Sequence, residues 1–175
     1  MKNEVSVLTD GTIEMVLTQG KTALIDASQL PLVTQYRWCA VTFGWTFYAA
    51  TGIRTTEGKW TTLYMHRLLL PNAKEIDHIN GIGTDNRLSN LRPCTTAQNQ
   101  HNQKPRKGTS SYKGVYWARQ CQRWRASITV HGKTRWLGVF QDEIEAAMAY
   151  DVAAQTLCGA FARTNFPNRK EACIT

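Results

Sequence analysis

Cysteine is scarce in this chain and badly placed for a metal. The five thiols, at positions 39, 94, 121, 158 and 173, form no C-x-x-C pair. An odd, scattered set excludes a zinc ribbon, so no structural zinc is expected, and it points to free thiols in a reducing, cytoplasmic setting. Long apolar runs are also missing: none approaches the ~20 residues of a membrane span. Met1-Lys2-Asn3-Glu4 leads into a strand-like segment and not an apolar signal core. Histidine does not occur before His66, which argues against a second catalytic centre in the leading segment. Acidic residues are absent from Lys104 to Arg135, a window that holds nine Lys or Arg; the other residues hold twelve basic and thirteen acidic, so this window supplies the whole net charge of +8. A localised basic block with interleaved aromatics is the footprint of a nucleic-acid partner, and its strand-like patterning sets it apart from a plain solvated tail.

What remains is enough for one ordinary core or two small ones in 175 residues. Residues 1–65 read as β-rich. Thr12–Thr18 alternates, Gln19-Gly20-Lys21 turns, and Thr22–Asp26 returns. A helical turn or two is expected in Leu30–Tyr36, then strands at Arg37–Val41, Trp45–Ala50 and Trp60–Met65, with His66 following this last strand. The aromatics Tyr36, Trp38, Phe43, Trp45, Phe47, Tyr48, Trp60 and Tyr64 are expected to build a compact core. The segment is expected to be a scaffold, with Arg54 and Lys59 on hairpins as phosphate contacts.

The stretch Glu75–Asn102 carries the chemistry. Glu75-Ile76-Asp77-His78-Ile79 alternates as a half-buried strand, Asn80-Gly81 reverses the chain, and a polar loop runs from Ile82 to Leu88. A short strand, Asn90-Leu91-Arg92, is expected to stop at Pro93, which lacks a ladder donor. Thr95 or Thr96 then caps a short helix with Asn99 and Asn102 on one face. Asp77, His78, Asn90 and Asn99 in a strand, loop, strand and helix suit the activation of water beside a hard cation on a phosphate. Asn86 and Asn102 compete for the two asparagine roles, and His66 reads as structural or phosphate-contacting.

This ββα stretch resembles the HNH nucleases of the ββα-metal fold, most closely the variant in phage intron-encoded homing endonucleases that ends in asparagine. The resemblance implies Asp77 and Asn99 as metal ligands, His78 as general base, and Asn90 as the brace of the loop that orients His78. A carboxylate and an amide oxygen are hard donors, suited to Mg²⁺ or Mn²⁺.

Gln103–Ser111 has one proline, one glycine and no large apolar residue. It is expected to be a basic linker, with Lys104, Arg106 and Lys107 along phosphates or in a minor groove; fully extended it reaches roughly 30 Å. From Tyr112 three strands and a helix are expected: Gly114–Arg119, Arg123–Val130, Thr134–Phe140, and a helix capped by Asp142 and stopped at Gly159. The words YKGV, WRASI, TRWLGVF, EAAMAYDVAA and FARTNFP resemble the DNA-binding domain of plant ethylene-response (APETALA-type) transcription factors. That implies a sheet in the major groove of double-stranded DNA, with Lys113, Tyr116, Ala118, Ser127, Thr129, Thr134 and Trp136 at the DNA face. Tyr116, Ala118, Thr129 and Thr134 stand where the plant domains have arginines, so the plant target sequence does not carry over. Arg119, Arg123 and Arg125 are expected as phosphate anchors.

The expected class is α+β: a β-rich N-terminal region leading into the ββα-metal motif, then a separate three-stranded antiparallel sheet with one helix. The expected domains are 1–102 (motif about 66–102), a linker at 103–111, and 112–168. The expected activity is that of a site-specific homing endonuclease needing Mg²⁺ or Mn²⁺, working as a monomer that nicks one strand, since the chain holds one such residue set and no internal repeat. The alternative is a DNA-binding regulator whose HNH part only scaffolds.

Overall fold

The computed structural model describes residues 2–44, 46–105 and 108–167. The chain divides into two compact units, Met1–Thr95 and Thr96–Thr175, and its class is α+β.

The first unit is built from small antiparallel sheets. Strands β1 (Val5–Val7), β2 (Thr12–Val16) and β3 (Thr22–Asp26) form one meander, with Ile13 opposite Ile25 and Met15 opposite Ala23. Alternation puts these four side chains on one face, where they are buried together with Leu17. After a short helix α1 (Leu30–Val33), strands β4 (Cys39–Phe43), β5 (Thr46–Arg54) and β6 (Trp60–Tyr64) form a second meander. One core joins Ile13, Met15, Ile25, Val33, Trp38, Ala40, Ala49, Met65, Ile76 and Leu91.

Three local expectations change. Among the described residues of the first unit the core is mainly aliphatic around one fully buried aromatic, Trp38, whose Nε1 donates to the Val33 carbonyl at 2.8 Å, and Trp45 lies outside the described residues. Phe43 and Trp60 are 71% and 70% exposed; Phe43 ends β4 at the mouth of a turn, and Trp60 lies on an outer face beneath the Arg54 guanidinium. Second, the chain does not continue as strand after Tyr64. It enters a helix, α2 (Met65–Leu69), because Met65 and Leu69 sit four apart and both reach the core. Third, the strand after the polar loop does not stop at Pro93. It runs as β8 (Leu91–Cys94) against β7 (Glu75–His78), with Pro93 opposite Ile76. In a two-stranded ladder each strand keeps an outer edge, where a residue without N–H is tolerated.

The second unit begins with helix α3 (Thr96–Asn102) and continues into strands β9 (Val115–Ala118), β10 (Arg123–Val130) and β11 (Lys133–Phe140), with β10 central. Helix α4 (Glu143–Cys158) covers one face, capped by Asp142, whose Oδ1 accepts from the amides of Ile144 and Glu145 at 2.7 and 3.1 Å. The helix lies close because Ala146, Ala147 and Ala154 are small and buried against the sheet. Tyr150 presses on Gly114 so tightly that a Cβ there would lie 2.0 Å from its ring, and the φ of +76° also favours glycine.

Candidate active site and nucleic-acid face

His78 closes β7, and its ring packs against side chains of the first unit. It is 6% exposed. Tyr48 of β5 and His66 of α2 meet it edge to face, with ring centroids 5.6 and 5.1 Å away. Its Nε2 lies 3.5 Å from Asn86 Oδ1, a long hydrogen bond. The amide orientation is settled by the other end of Asn86, where Nδ2 donates to the Thr84 carbonyl at 3.1 Å. Burial pushes the imidazole below its usual pKa, opposed by the Asn86 bond and the charges of Asp77 and Asp85. The ring is therefore neutral at physiological pH, as a general base must be.

The loop that presents Asn86 is seated, not free. Leu24 N donates to Thr84 O at 3.0 Å and Asn86 N to Leu24 O at 2.7 Å, so the loop uses the edge of β3. Leu88 N adds a bond to Asp26 Oδ2 at 2.7 Å, and Gly83 N one to Thr46 Oγ1 at 3.1 Å. Asn90 ties the loop internally: its Oδ1 accepts from Asn80 N at 3.0 Å and its Nδ2 donates to Asp85 O at 2.8 Å. Asp85 holds Arg87 through two contacts of 2.8 and 2.7 Å. Asn90 thus braces the loop, while Asn86 is the loop side chain that meets His78.

Asp77, 3% exposed, lies beside His78 on β7. Its Oδ2 accepts from Nε and Nη2 of Arg92, its cross-strand partner, at 2.8 and 2.6 Å. A carboxylate has about four lone-pair sites on two oxygens, so a guanidinium on Oδ2 is compatible with a hard cation on the same group. Asn99 lies on α3 in the second unit.

Two partners of the site, His66 and Arg92, had not been placed beside His78 and Asp77 from the sequence. His66 is stacked on Tyr64 at 5.6 Å, its Nδ1 is buried with no hydrogen bond, and burial with the nearby His78 and Arg67 pushes its pKa down to about 3. Nothing in local periodicity marks it. Arg92 was legible as an opposite charge in the strand facing Asp77.

On the second unit, Tyr116, Arg125, Ser127, Trp136, Thr129 and Thr134 occupy the sheet face away from α4. Arg125 pairs with Tyr116, Ser127 with Trp136, and Thr129 with Thr134. A register shift after Ala126 accommodates Leu137, which packs inward, and leaves Trp136 outward and 64% exposed. Tyr116 and Trp136 meet at 6.3 Å, and the Arg125 guanidinium lies 5.8 Å from the Trp136 ring. Arg125 Nε is buried without a hydrogen bond. Arg119, Arg123 and Lys104 are exposed, while Ala118 is buried. Lys113 is directed differently: its ammonium donates to the carbonyls of His101 and Gln103, and burial, aided by Arg163, lowers its pKa to about 8. Arg106 and Lys107 lie outside the described residues.

Residues 65–101 match the family model described as HNH endonuclease. This stretch is an HNH endonuclease domain. It takes in α2, β7, β8 and most of α3, and with them Asp77, His78, Asn90 and Asn99. An uncharacterized HNH endonuclease of Acanthamoeba polyphaga mimivirus is 29% identical over 147 residues, 84% of this chain and 76% of that one. Protein 3.8 of Escherichia phage T7 is 37% identical over 65 residues, 37% of this chain and 54% of that one. An AP2/ERF and B3 domain-containing protein of Oryza sativa subsp. japonica is 37% identical over 95 residues, 54% of this chain and 24% of that one. The chain therefore spans about half of the T7 protein and about a quarter of the rice protein. The HNH domain and an AP2/ERF-like likeness occur in one polypeptide.

Proposed function

We propose that this chain is a site-specific, divalent-metal-dependent DNA endonuclease of the homing type, which nicks one strand of duplex DNA as a monomer. The observation that carries the reading is His78: a buried imidazole next to Asp77, on the strand of a matched HNH domain, with its ring against those of Tyr48 and His66.

Asn86 Oδ1 favours the tautomer with the proton on Nε2. The ring's one basic lone pair then lies on Nδ1, the atom that would take the proton of the attacking water. As the family resemblance implies, Asp77 would offer a carboxylate oxygen and Asn99 an amide oxygen to Mg²⁺ or Mn²⁺, while Arg92 holds Asp77 Oδ2. When bound, such an ion stabilises charge on the phosphate and the leaving 3′ oxygen. Asn90 keeps the loop closed behind His78. On the second unit, Tyr116, Arg125, Ser127, Thr129 and Trp136 form the base-reading face, the unsatisfied Arg125 Nε is offered to a DNA acceptor, and Lys104, Arg119 and Arg123 anchor phosphates.

Supercoiled plasmid carrying the target should go to open circle with Mg²⁺ and not with EDTA, well before linear product, at a rate first order in protein. Rapid linear product with a quadratic dependence on protein refutes the monomer, and no cleavage with either ion refutes the enzyme. The Asp77–Arg92 pair favours a second reading, a DNA-binding regulator in which that carboxylate is purely structural; the same assay would then show binding without nicking.

A further inference from the structure

Helix α3, which carries Asn99, belongs to the same compact unit as the sheet domain. Its C-terminal carbonyls lack donors within the helix. The ammonium of Lys113 donates to the carbonyls of His101 and Gln103, the latter at 2.8 Å, and Arg163 N donates to His101 O at 3.3 Å. Lys113 is itself fastened at its backbone: its N donates to Asn165 Oδ1 at 2.7 Å, and its carbonyl accepts from Asn165 Nδ2 at 3.2 Å. Asn165 hangs in turn from Asp151, a buried carboxylate of α4 that accepts from Asn165 N at 2.7 Å, Asn165 Nδ2 at 3.0 Å and Phe166 N at 2.9 Å. Hydrogen bonds thus run without a break from the end of α3 to the core of the sheet domain.

We propose that Lys113 and Asn165 are positioning residues that clamp α3 to the sheet domain, so that Asn99 moves with the DNA-reading face and the cut falls at a set number of base pairs from the recognition site. This rests on the nuclease reading above. The bond from Lys113 Nζ to Gln103 O closes the intervening segment into a loop. The length of that loop, which includes most of the basic linker, then does not set the reach of the recognition domain.

The test compares the full chain with three variants: a Gly-Ser-Gly-Ser insertion between Gly108 and Thr109, Lys113→Met, and the two combined. Cut positions are mapped on end-labelled duplex with Mg²⁺. The insertion leaves every described bond of the clamp in place, and the cut should stay at the wild-type phosphate. Combined with Lys113→Met, four added residues release roughly 13 Å of chain. The cuts should then spread over about four further base pairs at ~3.4 Å each. A second readout needs no cleavage. Spin labels on a ketone-bearing amino acid at the exposed positions 97 and 152 should give a narrow distance distribution in wild type and insertion, and a broad one with Lys113→Met. A shifted or spread cut in the insertion alone overturns the clamp, even where Lys113→Met fails to fold. An unchanged cut in the combined variant, or a narrow distribution with Lys113→Met, also overturns it. Absence of cleavage by wild type sinks the nuclease reading instead, and the label distances still judge the clamp.

Discussion

Gly83→Ala discriminates between a loop seated on the N-terminal sheets and one that floats above them. The backbone at Gly83 is not in the left-handed region, so the substitution adds only a methyl group. That Cβ would lie 2.6 Å from the Phe47 carbonyl oxygen and 2.6 Å from Tyr48 Cε1. The first is backbone inside β5, where Phe47 is laddered to Thr42 of β4, and it yields less readily than the loop. The loop must lift instead, straining the bonds Gly83–Thr46, Leu24–Thr84 and Asn86–Leu24. Replacing glycine with alanine at an unstrained free site stabilises by ~0.4–1 kcal/mol through the unfolded chain. Overpacking a closed site costs about 1–3 kcal/mol. The sign therefore decides: a seated loop predicts net destabilisation of roughly 1–2 kcal/mol from these two effects. Urea unfolding followed by tryptophan fluorescence reads it, since Trp38 is buried in the same unit. Cleavage should fall more steeply than stability, because Tyr48 also touches the His78 ring. A variant as stable as wild type or more so, with full activity, would refute the seating of the loop and the support it gives to Asn86.

His78→Ala should lower the nicking rate by ~10²–10⁴ while leaving duplex affinity in a gel-shift titration unchanged; near wild-type cleavage across neutral pH removes it as the base. Asp77→Ala and Asn99→Ala should each abolish metal-dependent cleavage, and calorimetric titration of Mg²⁺ into the protein–DNA complex should lose its heat; undiminished binding in both places the ligands elsewhere. Deleting residues 104–175 should leave a weak nuclease with little site preference and a flatter dependence of affinity on salt, as phosphate contacts are lost. His66, held neutral with a pKa of about 3 against an ordinary 6.5, binds fewer protons folded than unfolded. Its contribution to stability is complete above about pH 6.5 and is lost towards pH 3, at up to about 1.4 kcal/mol per pH unit. His66→Phe should flatten that slope in urea titrations at pH 4–7, and an unchanged slope would show that His66 does not carry it.

Local periodicity and capping were enough for much of the fold. Alternation over Thr12–Val16, Thr22–Asp26 and Arg123–Val130 marks strands because side chains in a strand repeat every two residues, and Asp142 announces α4 because its carboxylate answers amides two and three residues on. The HNH domain was legible for a related reason. Asp77 and His78 are neighbours on one strand, and strand, loop and helix follow within a short span. Tertiary structure decided what no spacing encodes. The loop after His78 finds its seat on β3, which lies about sixty residues earlier in the chain. His66 comes to face His78 only because α2 folds back under Tyr48. Phe43 and Trp60 are aromatic like Trp38, yet only Trp38 has both a pocket and a partner for its indole N–H. Lys113 reads as one more cation for DNA, but its ammonium is turned to two carbonyls of its own unit. Each of these depends on which distant surface a side chain meets, and a pattern of short period carries no information about that.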